Sequence, residues 1–264
     1  MKVGCNTVLF ASVDFPTALE HVARAGYDFV EVAVIKGMCE HVDPTAGPAV
    51  AKEAAARISD HGLTATAIEA ATTDAERLKS IFELANALGI SIVNIGSGGT
   101  SGDEESTKAA IAHIAELAEL AGQYQIRLAV KPHVGQAIFD GATALRLTSE
   151  VTAPALGLNF DPSHLFRANE EPPDIAKSWG SRIVTSHFRD CGSREQQVGP
   201  PETQIPGRGI VDIPGTLRAL SQIGYDGPLN LEVIGAKEYT LARAMGIAAE
   251  NRGYIRRCLQ EIGA

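Results

Sequence analysis

Residues 156–164 read Leu156-Gly157-Leu158-Asn159-Phe160-Asp161-Pro162-Ser163-His164. A short, mostly apolar run stops at an acid, a proline and a polar pair. That is how a strand covered on both faces hands over to a helix. The same grammar repeats on either side. Apolar runs fall at 3–10, 29–35, 63–68, 92–95, 126–130, 156–160, 183–186 and 228–233. Between them lie Ala- and Leu-rich segments with helical spacing at 15–26, 49–62, 74–89, 104–123, 141–151, 174–179, 213–224 and 239–263. Several close on a glycine that can take the left-handed, helix-stopping conformation, as in His61-Gly62, Leu88-Gly89 and Ile223-Gly224. Eight units in 264 residues give a period of 33 (264/8). Strict alternation at this length predicts a single-domain (β/α)8 TIM barrel over 1–264. The alternative is a doubly wound sheet of fewer strands, but no GxGxxG follows the first run. Gly96-Ser97-Gly98-Gly99 has no following GKS/T and reads as a strand-to-helix turn.

Composition narrows the function classes. There are 23 basic and 32 acidic residues, a formal net charge of −9, which opposes a nucleic-acid partner. A hydrophobic share of 45% is that of a globular chain. No apolar run approaches the ~20 residues that span a bilayer, so no membrane association is expected. The first residues, MKVGCNTVLF, lack the pattern of a secretory signal. Four cysteines without a CxxC pair suit a reducing compartment, and a cytoplasmic location is expected.

Parallel barrels carry their chemistry where the strands end. The first polar residues after the fifth run are Lys131-Pro132-His133. After the sixth come Asp161 and His164, after the seventh His187-Phe188-Arg189-Asp190, and the eighth reaches Glu232. Asp161, His187 and Glu232 form a carboxylate/imidazole set that suits Mn, Co, Mg or Zn as divalent ions. Each has a plainer reading alone: Asp161 as a helix cap, His187 as a hydrogen-bonded core residue, Glu232 as the partner of an Arg. Their coincidence at successive strand ends argues for a shared site. Glu69 ends the third strand, and Asn6 and Asn94 lie near the ends of the first and fourth. Cys39-Glu40-His41 falls in a long loop, 36–48, that could act as a lid. Arg189, Arg194 and Arg208 are candidates for holding an anionic group of a substrate.

This constellation resembles the xylose isomerase-like TIM barrel superfamily, in particular its sugar phosphate isomerase/epimerase branch. The resemblance covers nearly the whole chain and is clearest at 128–135, 156–165, 183–190, 206–211 and 224–233. Asp161 and His164 match a D-x-x-H pattern, His187–Asp190 resembles H-x-K-D, and 206–212 resembles P-G-x-G-x-V-D. The resemblance implies a metal on Asp161, His187 and Glu232, with His164 at the substrate. One departure stands out: Lys131 occupies the place of the branch's first ligand Glu. A protonated Lys offers donors and no acceptor, so it cannot ligate a metal. Three outcomes follow. The ion stays on the remaining three ligands, with His133 or water completing the shell. Or Lys131 replaces its charge by pairing with Asp161 and Glu232. Or Lys131 loses its proton and acts as base or nucleophile.

The resemblance implies a metal-dependent isomerase or epimerase that removes a proton next to a carbonyl of a small sugar, keto-sugar or sugar phosphate. Glu232 is the expected base. Lys131 or His133 returns the proton, and His164, Arg189, Arg194 and Glu69 contact the substrate. With Lys131 present, a sugar dehydratase or lyase, or a non-catalytic sugar-binding barrel, are the alternatives. Abasic-site endonucleases of the superfamily are disfavoured, because Glu202-Thr203-Gln204 stands where they carry D-x-H ligands. The weakly charged last helix, 239–263, could pair copies into a homo-oligomer.

Overall fold

The computed structural model describes residues 1–195 and 197–264. Eight parallel strands run in the order β1 (Lys2–Asn6), β2 (Phe29–Ile35), β4 (Thr64–Glu69), β5 (Ile92–Ile95), β6 (Arg127–Val130), β7 (Leu156–Phe160), β8 (Ile183–Ser186) and β9 (Pro228–Leu231). β9 returns to β1 through four register pairs from Lys2↔Pro228 to Cys5↔Leu231. The last seam, β8 to β9, is held by the bridge His187↔Asn230 and the Phe188 N to Asn230 O bond of 2.8 Å. The expected (β/α)8 barrel is therefore the observed architecture. The expected strand at 3–10 is shorter, because the Asn6 side chain accepts from Val8 N and turns 7–10 into a 3-10 helix.

Helices follow the strands, and several start on an aspartate cap. The Asp14, Asp74, Asp140 and Asp212 side chains accept from the first-turn amides of α1 (Phe15–Arg24), α3 (Ala75–Ala87), α5 (Gly141–Glu150) and α8 (Ile213–Gln222). Gly62 and Gly224 sit at φ +66° and +73°, just past the ends of α2 (Pro48–Asp60) and α8. A two-residue strand, β3 (Cys39–Glu40), which was not expected, folds back antiparallel on β2, and the helix that an Asp161 cap would start is a short separate one, α6 (Pro162–Arg167), preceding α7 (Pro172–Trp179).

Alternation along each strand divides the molecule into two environments. Val30, Val32 and Val34 of β2, Leu128 and Val130 of β6, Leu158 and Phe160 of β7, and Leu229 and Leu231 of β9 join one large core with the helices. The intervening positions face the barrel axis; some are small or apolar, as Ala33, Ile35 and Ala129, but many are polar: Asn6, Glu31, Glu69, Asn94, Asn159, Thr185 and Asn230, all buried. α9 (Leu241–Ile262) turns Ile247, Ala248, Ile255 and Leu259 onto its own barrel. No helix among the described residues is long and apolar enough to cross a membrane.

Candidate functional site

At the carboxyl end of the barrel, a cavity of about 300 Å3 opens over the ends of the strands. Its polar lining includes Glu69, Lys131, His133, Gln136, Arg189 and Glu232, and Ile35, Met38 and Ile234 form an apolar wall. Ala71 on its rim holds a φ of +47°, a costly conformation for a residue with a Cβ.

Lys131 continues β6 inward, its amide bonded to Ile95 O at 2.9 Å. Its Nζ donates to both Glu232 oxygens at 3.1 Å each and lies 2.9 Å from His187 Nδ1. Burial opposes the ammonium, but Glu232 and Glu69 outweigh it and raise the Lys131 pKa. Lys131 thus stays charged, and the deprotonated nucleophile is disfavoured.

Asp161 serves two purposes. Oδ1 caps α6, accepting from Ser163 N (2.9 Å), Ser163 Oγ (2.7 Å) and His164 N (3.3 Å). Oδ2 accepts from Arg189 Nε at 3.0 Å. Arg189 also reaches Glu232 Oε2 with Nη2 at 3.2 Å, while its buried Nη1 has no partner. The His164 ring lies between the Arg167 and Arg189 guanidiniums, at 3.0 and 2.9 Å. Burial, with Arg189 beside it, lowers its pKa well below the ordinary value and keeps it neutral. His133 stacks on His164 with centroids 3.9 Å apart. Its Nδ1 is 2.8 Å from Val134 O, a bond in which the ring donates, leaving Nε2 to accept. Burial and Lys131 lower its pKa to about 4.

Glu232 is buried, which opposes ionisation, yet His187, Lys131 and Arg189 hold its pKa well below the usual range. A carboxylate with both oxygens engaged is a poor proton acceptor. Glu69 is its opposite. It is 2% exposed, and its Oε2 has no hydrogen-bond partner. Burial lifts its pKa to about 7, against the attraction of Lys131 and His187.

Glu31 was not singled out from the sequence. It is fully buried in mid-β2, where Asn6 Nδ2 donates to Oε2 at 2.7 Å, Asn94 Nδ2 donates to Oε1, and His187 Nε2 lies 2.8 Å from Oε2. Its signal was a single charge inside FVEVAVI, on the strand's inward parity. Gln136 was also missed; its Oε1 accepts from Ser97 N (2.7 Å) and Gly98 N (3.1 Å) at the cavity wall.

Other candidates lie elsewhere. Arg194 stacks on Phe166 at 3.7 Å and donates to Phe166 O at 2.9 Å, outside the cavity lining. Arg208 pairs with Glu250 on the surface. The 36–48 loop is tied down: β3 pairs with β2, Glu40 meets Arg77 at 2.6 Å, and His41 Nδ1 lies 2.9 Å from Thr7 Oγ1.

Two groups among the described residues could hold a metal by distance, Asp161/His187/Glu232 and Glu31/Glu69/His187, each with atoms within 4.8 Å of one another. In the first, His187 Nδ1 and Glu232 face Lys131, and Asp161 Oδ2 faces Arg189. A divalent ion ~4 Å from Lys131 would meet a repulsion of roughly 8 kcal/mol at an effective dielectric near 20. In the second, Glu31 already accepts from two amides, and Glu69 Oε2, which accepts no hydrogen bond, lies 3.4 Å from His187 Nε2, itself turned to Glu31. With its side chains so arranged, the site does not fit a divalent ion.

The family model described as xylose isomerase-like TIM barrel matches residues 19–258. A ketose 3-epimerase of Arthrobacter globiformis is 24% identical over 94% of this chain and 89% of its own. An inosose dehydratase of Lacticaseibacillus casei is 25% identical over 42% of each chain, so the match spans under half of that relative's length. Among solved structures, a D-tagatose 3-epimerase-like protein superposes with a TM-score of 0.81 at 17% identity, covering 100% of this chain and 98% of that one. The IOLI protein with a bound zinc atom gives 0.77 at 19%, covering 97% and 98%. At these identities the structural likeness speaks for the fold.

Proposed function

From the premise that this chain belongs to the xylose isomerase-like TIM barrel family, we propose that it is an enzyme that removes a proton from carbon next to the carbonyl of a small polyhydroxylated substrate. One observation carries this reading. Two buried polar atoms that make no hydrogen bond, Glu69 Oε2 and Arg189 Nη1, belong to side chains lining the same cavity, with Glu69 Oε2 3.4 Å from His187 Nε2. One is an acceptor and the other a charged donor, the pair that a C–H acid and its developing enolate oxygen require.

Glu69 takes the proton. A carboxylate whose pKa is lifted to about 7 is matched to proton transfer at neutral pH. Arg189 Nη1 and the Lys131 ammonium stabilise the negative oxygen, with Glu232 and Asp161 holding both cations in place. Glu232, the base expected from the sequence, acts here as an anchor. The free Nε2 of His133 accepts a substrate hydroxyl. The imidazole of His164 positions Arg189 from behind.

The fate of the intermediate divides two reactions. Return of the proton to carbon gives isomerisation or epimerisation, the reaction class of the ketose 3-epimerase relative. Loss of a neighbouring hydroxyl, protonated by Lys131, gives dehydration, as the inosose dehydratase name implies. An ammonium at Lys131, where the branch has a carboxylate, favours this second course as the alternative. Four buried free thiols support a reducing, cytoplasmic setting.

The test is exchange of substrate C–H for deuterium in D2O, followed by NMR across ketoses, their phosphates and cyclic keto-polyols. Glu69→Gln is expected to slow exchange on the order of 10²–10⁴-fold with an unchanged circular dichroism spectrum. Undiminished exchange in that variant would remove Glu69 as base. Absence of exchange across the whole panel would remove the reaction class.

A further inference from the structure

We infer that Lys131 and Arg189 are built-in replacements for a divalent cation, and that this chain assembles its site without binding one between Asp161, His187 and Glu232.

Accounting for each donor leads there. Asp161 Oδ1 is committed to the first turn of α6, and Oδ2 to Arg189 Nε at 3.0 Å. Glu232 Oε1 receives Lys131, and Oε2 receives both Lys131 and Arg189. His187 Nδ1 is 2.9 Å from Lys131 Nζ, and Nε2 is 2.8 Å from Glu31. Every atom that could ligate an ion already meets a proton-bearing partner or, at Nε2, a carboxylate. The charges agree. Four acidic side chains, Glu31, Glu69, Asp161 and Glu232, meet the cations Lys131 and Arg189, with the His187 ring set between Glu31, Glu69 and Glu232, so part of the negative charge an ion would neutralise is already answered. These are fixed cations, since Lys131 follows a barrel strand with its amide on Ile95 O, and Arg189 is gripped through two nitrogens. The substitution also changes the chemistry available: an ammonium can deliver a proton to a leaving oxygen, whereas a metal ion cannot.

The inference does not depend on the substrate, and its test needs none. The full chain, dialysed against EDTA, is titrated with Mn2+, Co2+, Zn2+ and Mg2+ by calorimetry, and its metal content and melting temperature are measured. No saturable binding is expected at up to about 1 mM ion, and no shift in melting. Lys131→Glu, which supplies a fourth ligand beside Asp161, His187 and Glu232, is expected to bind one equivalent of Mn2+ at least ~10-fold more tightly than the parent chain and to melt higher with it. Should that variant fail to fold, Lys131→Gln removes the charge at similar size and undergoes the same titration with the same expectation. One tight equivalent in the unaltered chain, lost in Asp161→Asn, would overturn the inference. So would a folded Lys131 variant that takes up no ion. Failed turnover leaves these readouts untouched, so this inference and the proposed reaction fail separately.

Discussion

A buried carboxylate oxygen that accepts no hydrogen bond is costly, because nothing fully offsets the water it gave up. Glu69 carries that cost beside a cation-lined cavity. If it is the base, its ionised form must do the work. Because burial lifts its pKa to about 7, kcat/KM is expected to climb as pH rises through about 7 and to level off above. A pH–rate series checks this, and a profile flat from pH 5 to 9 (about two units either side) would contradict it. Glu31 teaches a different lesson. The strand-end reading found Lys131, Asp161 and His187 because each directly follows an apolar run, and Glu232 because it sits near the end of the eighth. Glu31 escaped because its inward parity is interrupted by outward valines that made the whole run look apolar.

Among the elements, the glycine-bearing segment after β8 shows how backbone and site are coupled. The Asp190 carboxylate accepts from the amides of Gly207, Gly209, Val211 and Cys191, all within 3.0 Å. The Cβ of any other residue at 209 would stand 2.2 Å from Asp190 Oδ1 and 2.3 Å from the Cys191 carbonyl, so the motif's second glycine has a steric cause. Gly209→Ala is expected to cost about 1–3 kcal/mol of stability, read from urea denaturation, because backbone cannot yield as a flexible side chain does. The helix stops at Gly62, Gly89 and Gly224, and the cap at Asp161, were legible from the residues. The hairpin at β3 was not, since two strand residues leave too little periodicity to read, and six helical ones showed α6 only by its cap.

For the molecule as a whole, the barrel's outward shell carries stability and its inward face carries chemistry. Trp179 is fully buried in that shell, its ring edge-on to Phe160 with centroids 5.8 Å apart. Trp179→Ala is expected to lose about 3–5 kcal/mol in the same denaturation assay, since no neighbour can fill the space. The inward face is secured by its own ion pairs, and the seam with the fewest strand-to-strand bonds, β8 to β9, carries His187 and leads into Glu232.

Periodicity and punctuation, read from the residues alone, determined eight strand–helix units, their handover points and the strand ends where chemistry gathers. Those signals are local, arising from which side chains can be covered and which backbones can turn. The tertiary structure alone decided that Lys131 and Arg189 point at the atoms expected to hold an ion, that Glu31 braces His187, and that Glu69 Oε2 is left without a hydrogen bond. Pairing among buried charges depends on distances between residues as far apart in the chain as 31 and 187, and no spacing rule along one strand contains them.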